Sequence, residues 1–169
     1  MLPIVLDSKA VRVGLAGAGE GLERKRKLLA QAGVSPAVVS PDASLRSDLT
    51  GLNVLFVTGL DAASSATVAQ AARAAGILVN VEDQPELCDF HVPALVRRGE
   101  LLLTVSTGGK SPSLSRALRE KLERLFGPEW DERLDEIGRL RDAWRSEGIG
   151  PEGVARRTRD HLAARGWLS

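Results

Sequence analysis

The sequence predicts an α/β fold, a parallel-sheet domain followed by a helical tail, and three observations predict it. Short apolar runs alternate with helical stretches in the first half of the chain. A glycine cluster lies at the first junction between run and helix, and charge density rises sharply toward the end. Residues 1–112 hold 22 Asp, Glu, Lys and Arg, whereas the remaining 57 residues hold 23. A mostly buried first part and an exposed helical end account for that shift.

The elements follow in order. Val11 to Ala16 is a short apolar run that reads as a strand and ends in Gly17-Ala18-Gly19. From Leu22 to Ala32 the spacing turns helical, with Leu22, Leu29 and Ala32 on one side, and Gly33 stops it. Ala37-Val38-Val39 is a second strand closed by Ser40-Pro41-Asp42. Val54 to Val57 is apolar throughout, as expected of a parallel strand covered on both faces. Ser64 to Ala75 is an alanine-rich helix stopped by Gly76, and Ile77 to Val81 is a fourth strand. Repeated strand–helix units imply parallel pairing with right-handed crossovers.

The pattern then changes. His91 to Val96 and Leu101 to Val105 flank Arg97-Arg98-Gly99-Glu100, a hairpin or short connection between two strands. Ser111-Pro112 reads as an N-cap followed by proline at the first helical position. Leu114, Leu118, Leu122 and Leu125 mark the helix, and Gly127-Pro128 ends it. Trp130, Leu134, Ile137, Leu140 and Trp144 mark a second tail helix. A third runs from Pro151 through Val154, Thr158, His161 and Leu162 to Gly166.

Composition excludes several classes of function. The chain has 169 residues, a net charge of +1, 43% hydrophobic and 27% charged residues, the profile of a globular protein. The balance of 23 basic against 22 acidic residues supplies no global attraction to nucleic acid or an anionic membrane. With no Tyr and three Phe, stacking on single-stranded nucleic acid is poorly provided for. No apolar run approaches the ~20 residues of a membrane helix. The first residues do not read as a signal peptide, and the content fits a cytoplasmic protein. A single cysteine, Cys88, excludes an internal disulfide and multi-cysteine metal sites; its expected role is packing. His91 and His161 have no partner spacing, so no zinc site is expected.

Three segments carry candidate chemistry. Gly17-Ala-Gly-Glu-Gly-Leu22 sits between a strand and a helix, where a dinucleotide fingerprint belongs, although Leu22 stands where GxGxxG has its third glycine. The pattern alone fits a cofactor loop and a structural turn equally. Asp42 is the nearest candidate for an acidic ribose ligand after the second strand. Thr107-Gly-Gly-Lys-Ser111 resembles a phosphate loop, but position 104 is Thr where the first glycine of GxxxxGK[ST] is needed. Its N–H and hydroxyl groups suit carboxylates instead. Asn80-Val-Glu-Asp-Gln-Pro85 follows the fourth strand and offers a carboxylate as a general acid or base, or as a turn cap.

Together these pieces resemble the precorrin-2 dehydrogenase and sirohydrochlorin ferrochelatase family, the N-terminal region of siroheme synthase. The resemblance rests on Gly17 to Lys25, on Leu78 to Phe90 with Pro93-Ala94, and on Arg98-Gly99 leading to Ser106-Thr-Gly-Gly-Lys-Ser-Pro112. The helix from Leu114 to Phe126 continues it, so most of residues 1–126 are covered. Between Asp42 and Leu52 the chain is shorter than the family's spacing, as though a helix and a strand were removed.

The resemblance implies a Rossmann-like NAD-binding domain over residues 1–90, a dimerisation segment over 91–126 and a helical domain over 127–169. It implies a homodimer that oxidises precorrin-2 to sirohydrochlorin with NAD, and insertion of ferrous iron as a possible second activity. Asp83 would be the catalytic base. NAD would be held by Gly17, Ala18, Gly19, Glu20, Gly21, Leu22, Pro41, Asp42 and Thr58. Asn80, Ser106, Thr107, Gly108, Gly109, Lys110 and Arg116 would bind the tetrapyrrole, whose many carboxylates suit N–H groups and cations. No resident metal, nucleic acid or membrane is expected. Two alternatives stand beside this reading: an NAD-independent tetrapyrrole chelatase or carrier, and a nucleotide-sensing regulatory module.

Overall fold

A computed structural model describes residues 1–42 and 45–168 of the chain. It divides into two compact units, Met1–Val92 and Pro93–Ser169.

The first unit is built from β1 (Val13–Gly17), α1 (Gly19–Gln31), β2 (Ala37–Val39), α2 (Leu45–Asp48), β3 (Val54–Thr58), α3 (Ala62–Ala74) and β4 (Leu78–Val81). The strands form one parallel sheet in the order β2-β1-β3-β4. This is the α/β parallel sheet expected from the alternating pattern, in the Rossmann-like arrangement that the resemblance implies. Strand side chains point to the two faces in turn. Val13, Leu15, Val54 and Phe56 therefore pack with Leu29 of α1, while Ala16, Leu55, Val57, Val79 and Val81 pack with Val68, Ala69 and Ala72 of α3. The alanine-rich surface of α3 lets that helix lie close to the sheet. Asp61 caps it by accepting from the Ser64 N–H at 2.9 Å, so α3 begins two residues earlier than Ser64.

The short α2 is absent from the expected element list. Four residues are too few to show periodicity, and its order comes from Leu45 and Leu49 entering the core. After β4 the chain forms a 3-10 turn, Pro85–Leu87, and returns along the outer edge of the strand. There Val79 N–H donates to Asp89 Oδ2 at 2.9 Å and Val81 N–H to Cys88 Sγ at 3.2 Å, while Asp89 N–H donates to the Val79 carbonyl at 2.7 Å. Arg73 Nε holds the other Asp89 oxygen at 2.9 Å.

The second unit opens with an antiparallel hairpin, β5 (Ala94–Arg98) and β6 (Leu101–Val105), followed by α4 (Pro112–Leu125), α5 (Trp130–Ser146) and α6 (Pro151–Ala164). β5 starts three residues after His91. Arg98 Nε donates to the Phe126 carbonyl at 2.9 Å, so this arginine terminates α4 and serves the helix end. Ser111 Oγ accepts from Leu114 N–H at 3.2 Å, the N-cap expected from Ser111-Pro112. Between α5 and α6 the Arg133 guanidinium lies 5.1 Å from the Trp130 ring and 5.2 Å from Trp167. Glu136 accepts from His161 Nε2 at 2.9 Å and from Arg165 Nη2 at 2.7 Å.

Candidate functional site

The carboxyl ends of the four parallel strands define one edge of the first unit, and the strand order turns back between β1 and β3, the place where open α/β sheets form a crevice. β2 lies on one side of β1 and β3 on the other, the switch point at which ligands bind in open α/β sheets. The register sets Gly17 opposite Thr58 and Val57 opposite Val81, so three strand ends finish nearly level.

The glycine loop joins β1 to α1 at this edge. Its first helical N–H groups have no side-chain cap, because the N-cap residue is Ala18. A Cβ on Gly19 would meet nothing within 4 Å, so a ligand can approach the backbone here. Uncapped N–H groups, a helix N-terminus and open space fit the pyrophosphate of a dinucleotide. Gly17 and Ala18 are seated on β3, with Ala18 N–H donating to the Thr58 carbonyl at 3.2 Å. Glu20 is exposed and lies 3.8 Å from Arg24. Leu22 packs its side chain against the cluster of Val13, Leu15, Leu29, Val54 and Phe56. Pro41 and Asp42 are exposed beyond β2.

Thr58 is 2% exposed, and its hydroxyl donates to Glu82 Oε2. Gly21 completes this arrangement. A Cβ there would come within 2.8 Å of Glu82 Oε2 and closer still to the Thr58 hydroxyl, so only glycine leaves room for the carboxylate. In GxGxxG the third glycine allows close packing of helix on strand; here Gly21, one position earlier, takes that work. Spacing could not reveal Glu82 as part of the loop, because its partners Thr58 and Gly21 are remote in sequence. Gly59 was also missed. A glycine directly after a strand was its only signal.

Asp83 follows Glu82 and is exposed. Its φ of 60° makes it the one non-glycine residue in the left-handed region among the described residues. Such conformations persist where neighbours impose them, and they cluster at functional sites. Here the neighbours are specific: Glu82 N–H donates to the Val57 carbonyl at 2.9 Å, and Gln84 N–H to the Val81 carbonyl at 3.4 Å. Asn80 is 8% exposed and donates its amide to the Phe90 carbonyl at 2.9 Å, which fixes the chain returning from the Asp83 turn.

In the second unit the loop after β6 is also ordered from within. Thr107 Oγ1 donates to the Ser111 carbonyl at 3.0 Å, accepts from Ser111 N–H at 3.2 Å and lies 2.9 Å from Ser115 Oγ. Gly108 N–H donates to Ser106 Oγ at 3.3 Å. Gly109 and Lys110 are exposed, and Arg116 pairs with Glu120 at 2.9 Å. The residues expected to bind cofactor and base thus share the edge of the first unit, with Asn80, while Ser106 to Lys110 and Arg116 share the start of α4.

A family profile described as "Putative NAD(P)-binding" matches residues 4–94, more than half of the chain. The chain belongs to this NAD(P)-binding family. A second profile, "Sirohaem biosynthesis protein central", matches residues 98–125 of the same chain. Siroheme synthase of Thiobacillus denitrificans is 36% identical over 144 residues, covering 74% of this chain and 30% of its own length. Siroheme synthase of Methylococcus capsulatus is 38% identical, with 72% and 30% covered. Siroheme synthase 1 of Aeromonas salmonicida is 39% identical, with 74% and 31% covered. The chain therefore spans about 30% of the length of the curated relatives it matches. Among solved structures, one titled SirC, precorrin-2 dehydrogenase, superposes with a TM-score of 0.77 at 21% identity, covering all of this chain and 93% of that one. That likeness is one of fold. The siroheme-synthase resemblance of the chain is matched by these relatives. Among the described residues no helix is long and apolar enough to cross a membrane.

Proposed function

We propose that this NAD(P)-binding family member is a precorrin-2 dehydrogenase that oxidises its substrate to sirohydrochlorin with NAD. The observation that carries the reading is the convergence of the uncapped glycine loop and the left-handed Asp83 turn at one sheet edge. When bound, NAD would accept hydride from the tetrapyrrole.

The roles of the chain's own groups follow from their positions. The first N–H groups of α1 hold the cofactor's pyrophosphate, and Gly19 gives it access to the backbone. Pro41 and Asp42, beyond β2, belong to the adenosine side. Asp83 takes the proton that must leave carbon as hydride departs. Its carboxylate is exposed, as a group must be that meets a large incoming ring. Asn80 supports this base through its hold on Phe90. Ser106, Thr107, Gly108, Gly109, Lys110 and Arg116 suit the substrate's peripheral carboxylates by charge-assisted hydrogen bonding.

Ferrous iron is the substrate of a second activity, in which Asp83 would accept protons released from pyrrole nitrogens as the metal enters. We read the working form as a cytoplasmic homodimer divided at residues 90 and 126, on the strength of the siroheme-synthase resemblance. The test is anaerobic incubation with precorrin-2 and NAD, followed by ferrous iron. The expected result is conversion of the absorption spectrum to that of sirohydrochlorin and then of siroheme. An unchanged spectrum in the first stage overturns the dehydrogenase reading.

A further inference from the structure

Glu82 has no part in the chemistry above, yet its carboxylate is firmly held at the crevice. It accepts from the buried Thr58 hydroxyl, occupies the space that Gly21 leaves open, and lies 3.8 Å from Arg24 Nη2. Its side chain is 28% exposed. Glu82 and Thr58 stand at the ends of β4 and β3.

Their side of the switch point matters. In dinucleotide-binding sheets the acidic ligand of the adenosine ribose follows the second strand. The adenosine half thus belongs beside β2, and the nicotinamide half belongs on the opposite side, toward β3 and β4. The oxidised nicotinamide ring carries a positive charge that the reduced ring lacks, while the rest of the molecule is shared. A fixed negative charge near that ring distinguishes the two forms by Coulomb energy alone.

We propose that Glu82 is a specificity-determining residue that makes the crevice prefer oxidised over reduced cofactor, with Thr58 fixing its carboxylate in place. The inference rests on the dinucleotide reading and deepens it. Its benefit for an oxidising enzyme is direct: the incoming form is held and the spent form is released. Arg24 tempers this charge without cancelling it, because its side chain is 66% exposed and its own charge is shared with Glu20 at 3.8 Å.

The experiment is calorimetric titration of the full chain with NAD+, NADH and ADP-ribose, which lacks the nicotinamide. Wild type is expected to bind NAD+ more tightly than NADH. Glu82→Gln, which keeps size and hydrogen-bonding capacity, is expected to reduce the preference for NAD+ over NADH roughly five-fold, whatever change occurs at the pyrophosphate that the three ligands share. A uniform change across all three ligands marks a merely structural role and overturns the proposal, as does no change at all. Glu82→Asp draws the charge back by one methylene and should fall between the two; it decides the matter by itself if the Gln variant fails to fold. A wild type that binds none of the three overturns the dinucleotide reading itself, an outcome distinct from binding without Glu82-dependent discrimination.

Discussion

Gly59 and Ala18 hold the ends of β3 and β1 together by having no side chain between them: a Cβ on Gly59 would lie 3.1 Å from the Ala18 carbonyl carbon and nearer its oxygen. Gly59 has a φ of +66°, so alanine would be strained there even with space to spare. Gly59→Ala is expected to cost about 2 kcal/mol in stability, measured by urea unfolding. It should also weaken NAD+ binding about ten-fold, because the displaced Ala18 carries the glycine loop with it.

Asp83→Asn separates conformation from chemistry. Asparagine tolerates the left-handed region as aspartate does, so the turn after β4 keeps its shape. Stability should stay within about 0.5 kcal/mol by thermal melting. Turnover of precorrin-2 should fall at least about a hundred-fold, as read from the absorbance change. A variant with undiminished turnover removes Asp83 from proton transfer.

Thr107→Ala tests whether the loop before α4 is shaped from within. The substitution removes the hydroxyl that joins both backbone groups of Ser111 to Ser115. A loss of about 1–2 kcal/mol is expected in chemical unfolding. Thr107→Ser, which retains the hydroxyl, should recover most of it.

The clamp between α5 and α6 should fail in acid. Partial desolvation disfavours the charge on Glu136, but the hydrogen bonds and positive charges of Arg165 and His161 outweigh it and hold the carboxyl below its ordinary value of 4.5. The unfolded chain therefore takes up this proton first as pH falls. The stabilisation is complete above pH 4.5 and is lost as pH drops through the folded value. Tryptophan fluorescence, with Trp130 and Trp167 beside the clamp, should report an acid transition that Glu136→Gln abolishes.

Strands and long helices were legible because their cause is local. Val54 to Val57 is apolar at every position because both faces of β3 are covered, and Trp130 to Trp144 repeats with the period of α5. The glycine loop and Asp83 were legible through type and order along the chain. What escaped was set by tertiary contact. Glu82 gains its place from Thr58, 24 residues away, and Gly59 from Ala18 across the sheet. Arg98 gains its part in ending α4 from the carbonyl of Phe126, 28 residues away.

The chain returning along β4 has a consequence for self-association. Exposed strand edges recruit strands from other molecules through unpaired N–H and C=O groups. Here Asp89 and Cys88 take the outward N–H groups of Val79 and Val81, and Asp89 N–H takes the Val79 carbonyl. Side-chain acceptors thus imitate a fifth ribbon, and that border is sealed against fibre-like growth.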